Sequence, residues 1–515
     1  MSRDPLIARL RTDLTSAGYT VDGLRSIWGE AAEAALTRGN RVPAQRAVSA
    51  LPPGSADAAA GALARLFVLA LPTPRANVSG ALPTLGIDGA AQLGLLELTD
   101  ADTVRPLVDL RPYAFVDARG PGHWWIVSDL GEVAGGEALA ESHVLGVGGA
   151  SLTLSTLMID APARRVLDLG TGCGIQALHA ARHADEVIGT DISERAVRFA
   201  RLNARLNDVE GIRFRVGDLF APVAGEEFDR IVSNPPFVIT PRAPGVPEYE
   251  YRDGGMVGDA LVAAVIRGAA EHLAPGGVAQ LLANWEYRLN ESGLDRVAGW
   301  LDELAADGRA LDAWVVERET QDPAQYAETW IRDGGTRPGS ARYEKLSQAW
   351  LDDFAARGAT AVGFGYLLLR RPESGAPTLR RLERVETRGV NDSGLGAHIA
   401  GCLASHDWLV AVGTTGLLGA RLAVAPDVTE ERHYWPGAED PTVITLHAGA
   451  GFGRVVGMDT ASAAFVGACD GELTVEAICS AIAELLEVDA SALIAQLVPV
   501  VRELIEIGML VPASA

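Results

Sequence analysis

The sequence predicts an α/β protein built around a doubly wound, mostly parallel sheet. Between residues 156 and 370, apolar runs of strand length alternate with helical patterns, as in repeated strand–helix–strand units. Early in this region the apolar run 166–169 passes directly into the glycine-rich turn 170–174, as in nucleotide-binding sheets after their first strand. At 515 residues the chain is too long for one core, so we expect further domains on both sides of the sheet.

The composition indicates a folded and strongly acidic protein. Hydrophobic residues make up 48% of the chain, and 67 acidic side chains against 44 basic ones give a net charge of −23. A surface of that sign repels phosphate, which disfavours nucleic acid as a partner. A single basic patch on an acidic chain would still allow nucleic acid as an alternative partner.

The sequence gives no sign of a metal site, a secretion signal or a membrane span. Its four cysteines form no C-x-x-C pair, so neither a zinc site nor a disulfide framework is predicted. They are Cys173, Cys402, Cys469 and Cys479. The first residues lack the apolar core of a signal peptide, and no apolar run reaches the length of a membrane helix. We therefore expect a cytoplasmic protein that does not associate with membranes.

Residues 1–135 are predicted to form a helical domain that ends in a two-stranded wing. Helical spacing of apolar residues gives way to two strand-like runs. In order, these segments are 6–14, 21–36, 59–71, 86–95, 104–115 and 123–130. This is the order of a winged helix. The segment 84–93, which would be its recognition helix, contains no Lys or Arg, and this favours docking or dimerisation over DNA binding.

Residues 136–390 are predicted to form the central α/β domain. Its strands are expected at 165–169, 186–190, 213–216, 229–233 and 278–283, and its helices at 175–183, 193–206 and 260–273. Two later runs, 361–370 and 378–386, flank the turn-rich segment 373–377. We expect them to pair as a closing antiparallel hairpin.

Residues 391–515 are predicted to form a third, smaller unit of strands followed by helices. The strands are expected at 421–424, 443–446 and 454–457, and the helices at 461–469, 475–486 and 491–507. This tail resembles the small winged-helix domains that hold leader peptides in peptide-modifying enzymes. A structural cap or a dimer arm is the alternative.

The glycine-rich turn and two acidic residues form the pattern of a nucleotide-type cofactor site. Gly170, Gly172 and Gly174 allow the backbone to approach a ligand without a Cβ clash. Asp168 directly precedes this turn. Asp191 ends the second strand 23 positions later, near the spacing at which such sheets place an acid on ribose hydroxyls.

Two further signals occur at the ends of the next strands. Asp218 follows the third strand, and the segment Asn234-Pro235-Pro236-Phe237 follows the fourth. With the glycine turn, these residues resemble the class I S-adenosylmethionine (AdoMet)-dependent methyltransferases of the Asn-Pro-Pro-Phe/Tyr group. That group includes release-factor glutamine, rRNA and adenine-N6 enzymes. The resemblance covers less than half of the chain, and it implies a Rossmann-like methyltransferase sheet with AdoMet as cofactor.

The resemblance also implies how the Asn-Pro-Pro-Phe segment acts. An amide or base amine is a poor nucleophile because its lone pair is delocalised. The side-chain oxygen of Asn234 and the carbonyl of Pro235 would accept its N–H hydrogens and turn the lone pair toward the methyl group. Pro236 would help to fix that carbonyl, and Phe237 would stack on the planar group. Catalysis would then rest on positioning and polarisation, without an ionisable base.

The cofactor site implied by the resemblance comprises eleven residues. They are Asp168, Gly170, Thr171, Gly172, Cys173, Gly174, Asp191, Ile192, Asp218, Leu219 and Asn234. Two flanking segments, 143–151 and 251–255, are predicted to complete the pocket, and the linker 241–251 is a candidate substrate lid. No metal ligand is predicted.

Three functions are compatible with these motifs. The favoured one is methylation of a glutamine-type amide in a protein or peptide, because the chain is acidic and its tail resembles a peptide holder. The alternative is methylation of an rRNA or DNA base at adenine N6 or guanine N2, for which the arginine pairs 370–371 and 380–381 are candidate contacts. The third is a non-catalytic AdoMet-binding regulator. The partner is expected to be a macromolecular acceptor, and the winged-helix arms could also pair two copies.

Overall fold

The computed structural model describes residues 4–100, 102–131, 140–392 and 394–513. The chain divides into two compact units. The first comprises Met1–Ser155, Ala161–Pro377 and Arg381–Glu383, and the second comprises Thr156–Asp160, Thr378–Arg380 and Arg384–Ala515. The predicted division into three domains at 135 and 390 stays a prediction. Among the described residues, no helix has both the length and the apolar character required to cross a membrane.

The described residues of the N-terminal part of the first unit form six α-helices, a π-helical turn and five strands. The helices are α1 Asp4–Ser16, α2 Val21–Thr37, α3 Val42–Ser49, α4 Ala58–Leu63, α5 Arg75–Ala81 and α6 Gly86–Leu93, with the π-helical turn Ala64–Val68 after α4. The strands are β1 Thr73–Pro74, β2 Leu96–Asp100, β3 Thr103–Pro106, β4 Asp109–Asp117 and β5 Gly120–Ser128. Strands β1, β3 and β2 form one small sheet, and β4 and β5 form a hairpin. The predicted run 104–115 is therefore two strands, β3 and β4, in different sheets.

The central sheet of the first unit has eight strands. In chain order they are β6 Ala163–Leu169, β7 Ala184–Asp191, β8 Ile212–Val216, β9 Phe228–Ser233, β10 Leu273–Arg288, β11 Asp312–Gln321, β12 Ala359–Arg370 and β13 Arg380–Arg384. Their order across the sheet is β13-β11-β12-β10-β9-β6-β7-β8. Strands β6 to β10 pair in parallel, whereas β12 is antiparallel to both β10 and β11. This confirms the predicted doubly wound sheet.

Seven α-helices accompany the sheet, together with the short 3-10 helix Ala221–Val223. They are α7 Gly149–Leu157, α8 Ile175–Ala180, α9 Glu194–Leu206, α10 Ala260–His272, α11 Gly293–Ala306, α12 Pro323–Asp333 and α13 Ala341–Arg357. Strand β11 and helices α11 to α13 were not predicted. Side-chain caps mark where some of them begin: Asp322 accepts from the backbone N–H groups of Ala324 and Gln325 before α12, and Ser340 accepts from Tyr343 before α13.

The predicted closing hairpin of 361–370 with 378–386 is wrong. The two segments become β12 and β13, but β11 lies between them in the sheet. Strand β11 pairs with β12 from Asp312↔Arg370 to Gln321↔Val362 and occupies that edge of β12. The chain must therefore cross β11 before β13 can join the sheet.

The N-terminal hairpin is attached to helix α9. Asn203 on α9 accepts from the Val127 N–H and donates to the Val127 carbonyl, and Asn207 forms the same pair of bonds with Trp125. These contacts fix β5 to the helix that follows β7. The hairpin itself confirms the predicted pair of strands, and the winged-helix assignment stays a prediction.

The second unit contains helices and two three-stranded sheets around its own core. Its helices are α14 Gly396–Gly419, α15 Thr460–Gly467, α16 Val475–Leu485 and α17 Ala490–Glu506. Its strands are β14 Arg421–Val424, β15 Val428–His433, β16 Val443–Ala448, β17 Val455–Met458, β18 Asp470–Thr474 and β19 Leu510–Pro512, which form the sheets β18-β14-β19 and β15-β16-β17. All six predicted segments are present, whereas α14, β15, β18 and β19 were not predicted. Phe465, Cys479 and Leu497 lie at the centre of the core.

Candidate active site

The predicted site residues meet at the carboxyl edge of the central sheet. Strand β6 lies between β7 and β9, so Leu169 is level with Thr190 on one side and with Ser233 on the other. Helices lead away from the sheet in opposite directions at such a switch point, which leaves a crevice above the strand ends. Asp168, Asp191 and Asn234 therefore come together because of strand order, although they are far apart in the sequence.

The glycine turn after β6 adopts a conformation that favours glycine. The φ angles of Gly170, Gly172 and Gly174 are 74°, 53° and 88°, in the left-handed region that residues with a Cβ rarely adopt. A Cβ on Gly174 would also come within 3.0 Å of Ala200 on α9, whereas one on Gly172 would meet nothing within 4 Å. Gly174 therefore permits close helix packing, and Gly172 faces open space above the strand.

The carboxyl group of Asp168 stabilises the glycine turn through two hydrogen bonds. Its Oδ2 accepts from the Thr171 hydroxyl at 2.6 Å and from the Ala177 backbone N–H at 2.9 Å. The side chain is 1% exposed, and burial raises the pKa of this carboxyl to about 7. These two bonds fix the conformation of the glycine turn.

Asp191 links the turn to the end of the neighbouring strand. Its Oδ2 accepts from the Gly172 N–H and its Oδ1 from the Ser193 N–H, both at 2.9 Å. Burial raises the pKa of this carboxyl. The next residue, Ile192, is 59% exposed. The carboxylate of Asp191, oriented by two backbone bonds, and the exposed side chain of Ile192 therefore lie next to each other beside the glycine turn.

Asp218 lies at the adjacent strand end and is exposed. The preceding residue, Gly217, donates its N–H to the Asp191 carbonyl at 2.9 Å, which brings this loop to the end of β7. Leu219 has a φ of 43°, a conformation that costs energy for a residue with a branched side chain. Such strain is most often retained at ligand sites.

The Asn-Pro-Pro-Phe segment begins directly after β9. Asn234 Oδ1 is buried and accepts no hydrogen bond from any described residue. The Pro235 carbonyl accepts from the Phe237 N–H at 2.7 Å, which leaves it a second lone pair. The Pro236 carbonyl accepts from the Gly254 N–H at 3.1 Å. The segment is thus held by its own backbone while one side-chain oxygen remains unpaired.

Phe237 is more enclosed than the predicted stacking role requires. Its side chain is 9% exposed, and its ring centre lies 5.6 Å from that of Phe364 on β12. Its backbone also forms an isolated bridge with Asp253. The ring forms a wall of the site, and its stacking on a substrate stays a prediction.

The predicted flanking segments meet beside the Asn-Pro-Pro-Phe segment. The Glu250 N–H donates to the Glu141 carbonyl at 3.0 Å, and the rings of His143 and Tyr251 lie 5.7 Å apart edge to face. Asp253 accepts from the Tyr249 N–H at 2.8 Å and from the Thr240 hydroxyl. The hydrogen bond between Thr240 and Asp253 joins the two ends of the linker 241–251. The role of this linker as a substrate lid stays a prediction.

Two residues of this region were missed in the sequence. Asn284 on β10 is 1% exposed, and its Nδ2 lies 2.6 Å from Tyr326 Oη. Tyr326 Oη also accepts from the Ile239 N–H at 3.1 Å. One signal was available for Asn284, because it is a polar residue in the apolar run of a central strand near its carboxyl end. Tyr326 gave no signal, since α12 was not predicted.

Neither metal chemistry nor thiol chemistry is indicated at this edge. Among the residues that the structure describes, no group of three or more His, Cys, Asp or Glu side chains could hold a metal ion. Cys173 is buried, and burial raises the pKa of its thiol to about 12. A thiolate nucleophile is therefore disfavoured at this position.

Comparison with known proteins matches three family models to this chain. The family model described as "Methyltransferase small domain" matches residues 147–309, and two models described only as domains of unknown function match residues 16–107 and 400–512. The ribosomal protein uL3 glutamine methyltransferase of Bradyrhizobium diazoefficiens is 33% identical over 34% of this chain and 57% of its own length.

Two other relatives differ in the acceptor that their names state. A Methanocaldococcus jannaschii protein, named as a candidate protein N5-glutamine methyltransferase, is 35% identical over 26% of this chain and 68% of its own length. The ribosomal RNA small subunit methyltransferase C of Escherichia coli is 34% identical over 31% of this chain and 42% of its own length. The chain thus matches about half the length of such relatives.

Proposed function

The chain belongs to the methyltransferase small domain family, and we propose that it transfers a methyl group from AdoMet to the side-chain amide nitrogen of a glutamine in a protein. The observation that carries this proposal is the buried, unpaired Oδ1 of Asn234. A buried polar atom without a partner is costly, so it calls for a donor from a ligand. A primary amide supplies that donor.

Residues at the carboxyl edge fit AdoMet. The glycine turn leaves open space above Gly172, and the Asp191 carboxylate is oriented beside it by two backbone bonds. Ile192 offers an apolar surface, and Asp218 stands at the next strand end. AdoMet, when bound, supplies an electrophilic methyl group. We assign the methionine part to the glycine turn, the ribose hydroxyls to Asp191 and the adenine to Ile192, Asp218 and Leu219.

The acceptor amide is assigned to the Asn-Pro-Pro-Phe segment. Asn234 Oδ1 and the free lone pair of the Pro235 carbonyl would accept the two N–H hydrogens of the glutamine amide. Fixing both hydrogens in the plane of the amide directs the nitrogen lone pair out of that plane. The rigid backbone of the segment holds both acceptors before the reaction, so little reorganisation is needed. The positive charge that develops on the nitrogen is stabilised by the same two oxygens. It is discharged when the methylated nitrogen loses one of its two protons to water, and S-adenosylhomocysteine is the other product.

A protein acceptor is supported over rRNA or DNA by the charges near the sheet. The net charge is −23, and three of the four arginines considered for nucleic-acid contact form ion pairs. Arg370 lies 2.8 Å from Asp312, Arg371 lies 2.8 Å from Glu227, and Arg381 pairs with Glu383 at 2.9 Å. The positive charge of these three arginines is therefore partly neutralised by acidic side chains, and they are weaker candidates for binding phosphate than the sequence predicts. A non-catalytic regulator is disfavoured because it would not need the unpaired Asn234 oxygen.

The proposal is tested with labelled AdoMet. The purified protein is incubated with a cell lysate separated into protein, rRNA and DNA, and the transferred label is located by mass spectrometry. We expect label on a glutamine side chain and none from the variant Asn234→Ala. Label on a base would replace the protein acceptor by the nucleic-acid alternative, and equal labelling by Asn234→Ala would reject the mechanism.

A further inference from the structure

A second buried amide lies beside the Asn-Pro-Pro-Phe segment. Asn284 is 1% exposed, and its Oδ1 has no hydrogen-bond partner among the described residues. Buried amide groups in folded proteins are nearly always paired. An unpaired atom near the proposed acceptor site is therefore a candidate contact for the acceptor.

Three contacts connect Asn284 to this segment. The Ile239 N–H and Asn284 Nδ2 both bind Tyr326 Oη, at 3.1 and 2.6 Å. Asn284 is also the cross-strand neighbour of Phe364, whose ring lies 5.6 Å from that of Phe237. The chain that leaves the Asn-Pro-Pro-Phe segment is therefore linked to the amide of Asn284 through the Tyr326 hydroxyl and through the ring of Phe364.

The amide has an unpaired edge in either orientation. With Nδ2 toward Tyr326, the oxygen lacks a donor. With the two atoms exchanged, the Tyr326 hydroxyl donates to the oxygen at a distance typical of O–H···O bonds, and the NH₂ group lacks an acceptor. A peptide group carries one N–H and one C=O, so it complements either orientation.

The spacing along the sheet relates Asn284 to Asn234. Leu281 of β10 is level with Ser233 of β9, so Asn284 stands two residues further along the sheet than Asn234. At the rise of a strand this is about 7 Å along the sheet, and the spacing of neighbouring strands adds about 5 Å across it, so the backbones of the two residues are about 8 Å apart. An extended glutamine side chain together with its peptide group can bridge the two asparagine amides over that distance. The edge of a nucleobase presents its polar atoms side by side and would not span the two asparagines.

We propose that Asn284 binds the main-chain amide of the glutamine whose side-chain amide lies at Asn234. The inference rests on the proposed function and adds a specificity-determining contact to it. Asn234 recognises any primary amide, whereas Asn284 recognises that the amide belongs to a polypeptide. Free amides are thereby disfavoured as acceptors.

Two small probes test this contact in the full-length protein saturated with S-adenosylhomocysteine. N-acetylglutamine N-methylamide carries peptide groups on both sides, and butanamide carries only the side-chain amide. Their dissociation constants are measured by NMR titration. We expect the unchanged protein to prefer the first probe by about tenfold, as one or two neutral hydrogen bonds would provide. Asn284→Leu should reduce that preference to near one.

The variant Tyr326→Phe separates binding from structural support. It removes the shared hydroxyl and leaves the amide of Asn284 in place, so the preference should persist. Loss of the preference in Tyr326→Phe, or equal weakening of both probes by Asn284→Leu, would show that Asn284 only supports the segment. Thermal unfolding and S-adenosylhomocysteine affinity verify that each variant is folded.

The outcomes also distinguish this inference from the proposed function. If the unchanged protein binds both probes equally and Asn234→Ala weakens both, the Asn284 contact is wrong and the amide acceptor stands. If neither probe binds while guanosine or adenosine does, the glutamine acceptor itself is wrong, and the inference falls with it. Failure of every probe to bind likewise overturns both.

Discussion

The backbone N–H of Gly172 donates a hydrogen bond of 2.9 Å to Oδ2 of Asp191. This bond joins the glycine turn after β6 to the end of β7, and it turns the carboxylate toward the open side of the turn. The second oxygen is held by the Ser193 N–H at the start of α9. The glycine turn and the loop after β7 are thus fixed relative to each other by one carboxylate.

Replacing Asp191 by alanine is expected to weaken AdoMet binding by about 1.5–3 kcal/mol, because a charge-assisted contact and the orientation of Gly172 are both lost. Isothermal titration calorimetry of the purified protein measures this change. Asp185→Ala is the matched control, since Asp185 is an exposed acid at the opposite end of the same strand. Unchanged affinity in the Asp191 variant would place the ribose contact elsewhere.

Replacing Asn234 by alanine is expected to reduce turnover at least a hundredfold and to leave AdoMet affinity nearly unchanged. Loss of one preorganised hydrogen bond at a reacting centre costs about 2.7–4 kcal/mol in comparable sites. Turnover is measured as methyl transfer to the glutamine acceptor identified with labelled AdoMet. Asn207→Ala is the comparison, because Asn207 binds Trp125 on the N-terminal hairpin and should affect stability and not chemistry. A similar loss of turnover in both variants would argue for a structural effect.

The burial of Asp168 should make stability depend on pH. Its pKa is raised from 3.8 to about 7, so between these values the folded chain retains a proton that the unfolded chain has released. Stability should therefore fall as the pH rises through this window, by at most ~1.4 kcal/mol per pH unit from this group. Asp168→Asn stays neutral and should lack that contribution. Urea unfolding of both proteins at about pH 5, 6 and 7 measures the difference, and parallel stability curves would contradict it.

Removing the N-terminal hairpin should destabilise the cofactor site. Asn203 binds Val127 on β5 and also donates to the Cys173 carbonyl in the glycine turn at 2.8 Å. We expect Asn203→Ala to lower the free energy of unfolding by about 2–3 kcal/mol, since buried backbone groups lose their partners. A chain beginning at residue 140 should be less stable still. If the shortened chain had the same stability and AdoMet affinity as the full chain, the N-terminal part, including the hairpin, would not be needed for the cofactor site.

Local sequence signals located the site more accurately than they located the elements around it. The glycine turn, Asp191 and Asn234 were identified because each directly follows a strongly apolar strand. Strand β11 was missed together with helices α11 to α13. The first six residues of β11 are all buried, so the strand lacks the alternation of apolar and polar side chains that marks a strand with one exposed face. The false hairpin between 361–370 and 378–386 arose because a short turn-rich segment predicts neighbouring strands, and only β11 shows that the edge of β12 is already occupied.

By itself, the sequence determined the fold class, the glycine turn and the strand-end residues, because backbone conformation and apolar periodicity depend on nearby residues. The tertiary structure decided which distant residues share one crevice. It placed Asn284 and Tyr326 beside the Asn-Pro-Pro-Phe segment, enclosed Phe237 against Phe364 and bound the N-terminal hairpin to helix α9. Those relationships depend on strand order and on side-chain pairing between segments far apart in the chain, and no local pattern carries that information.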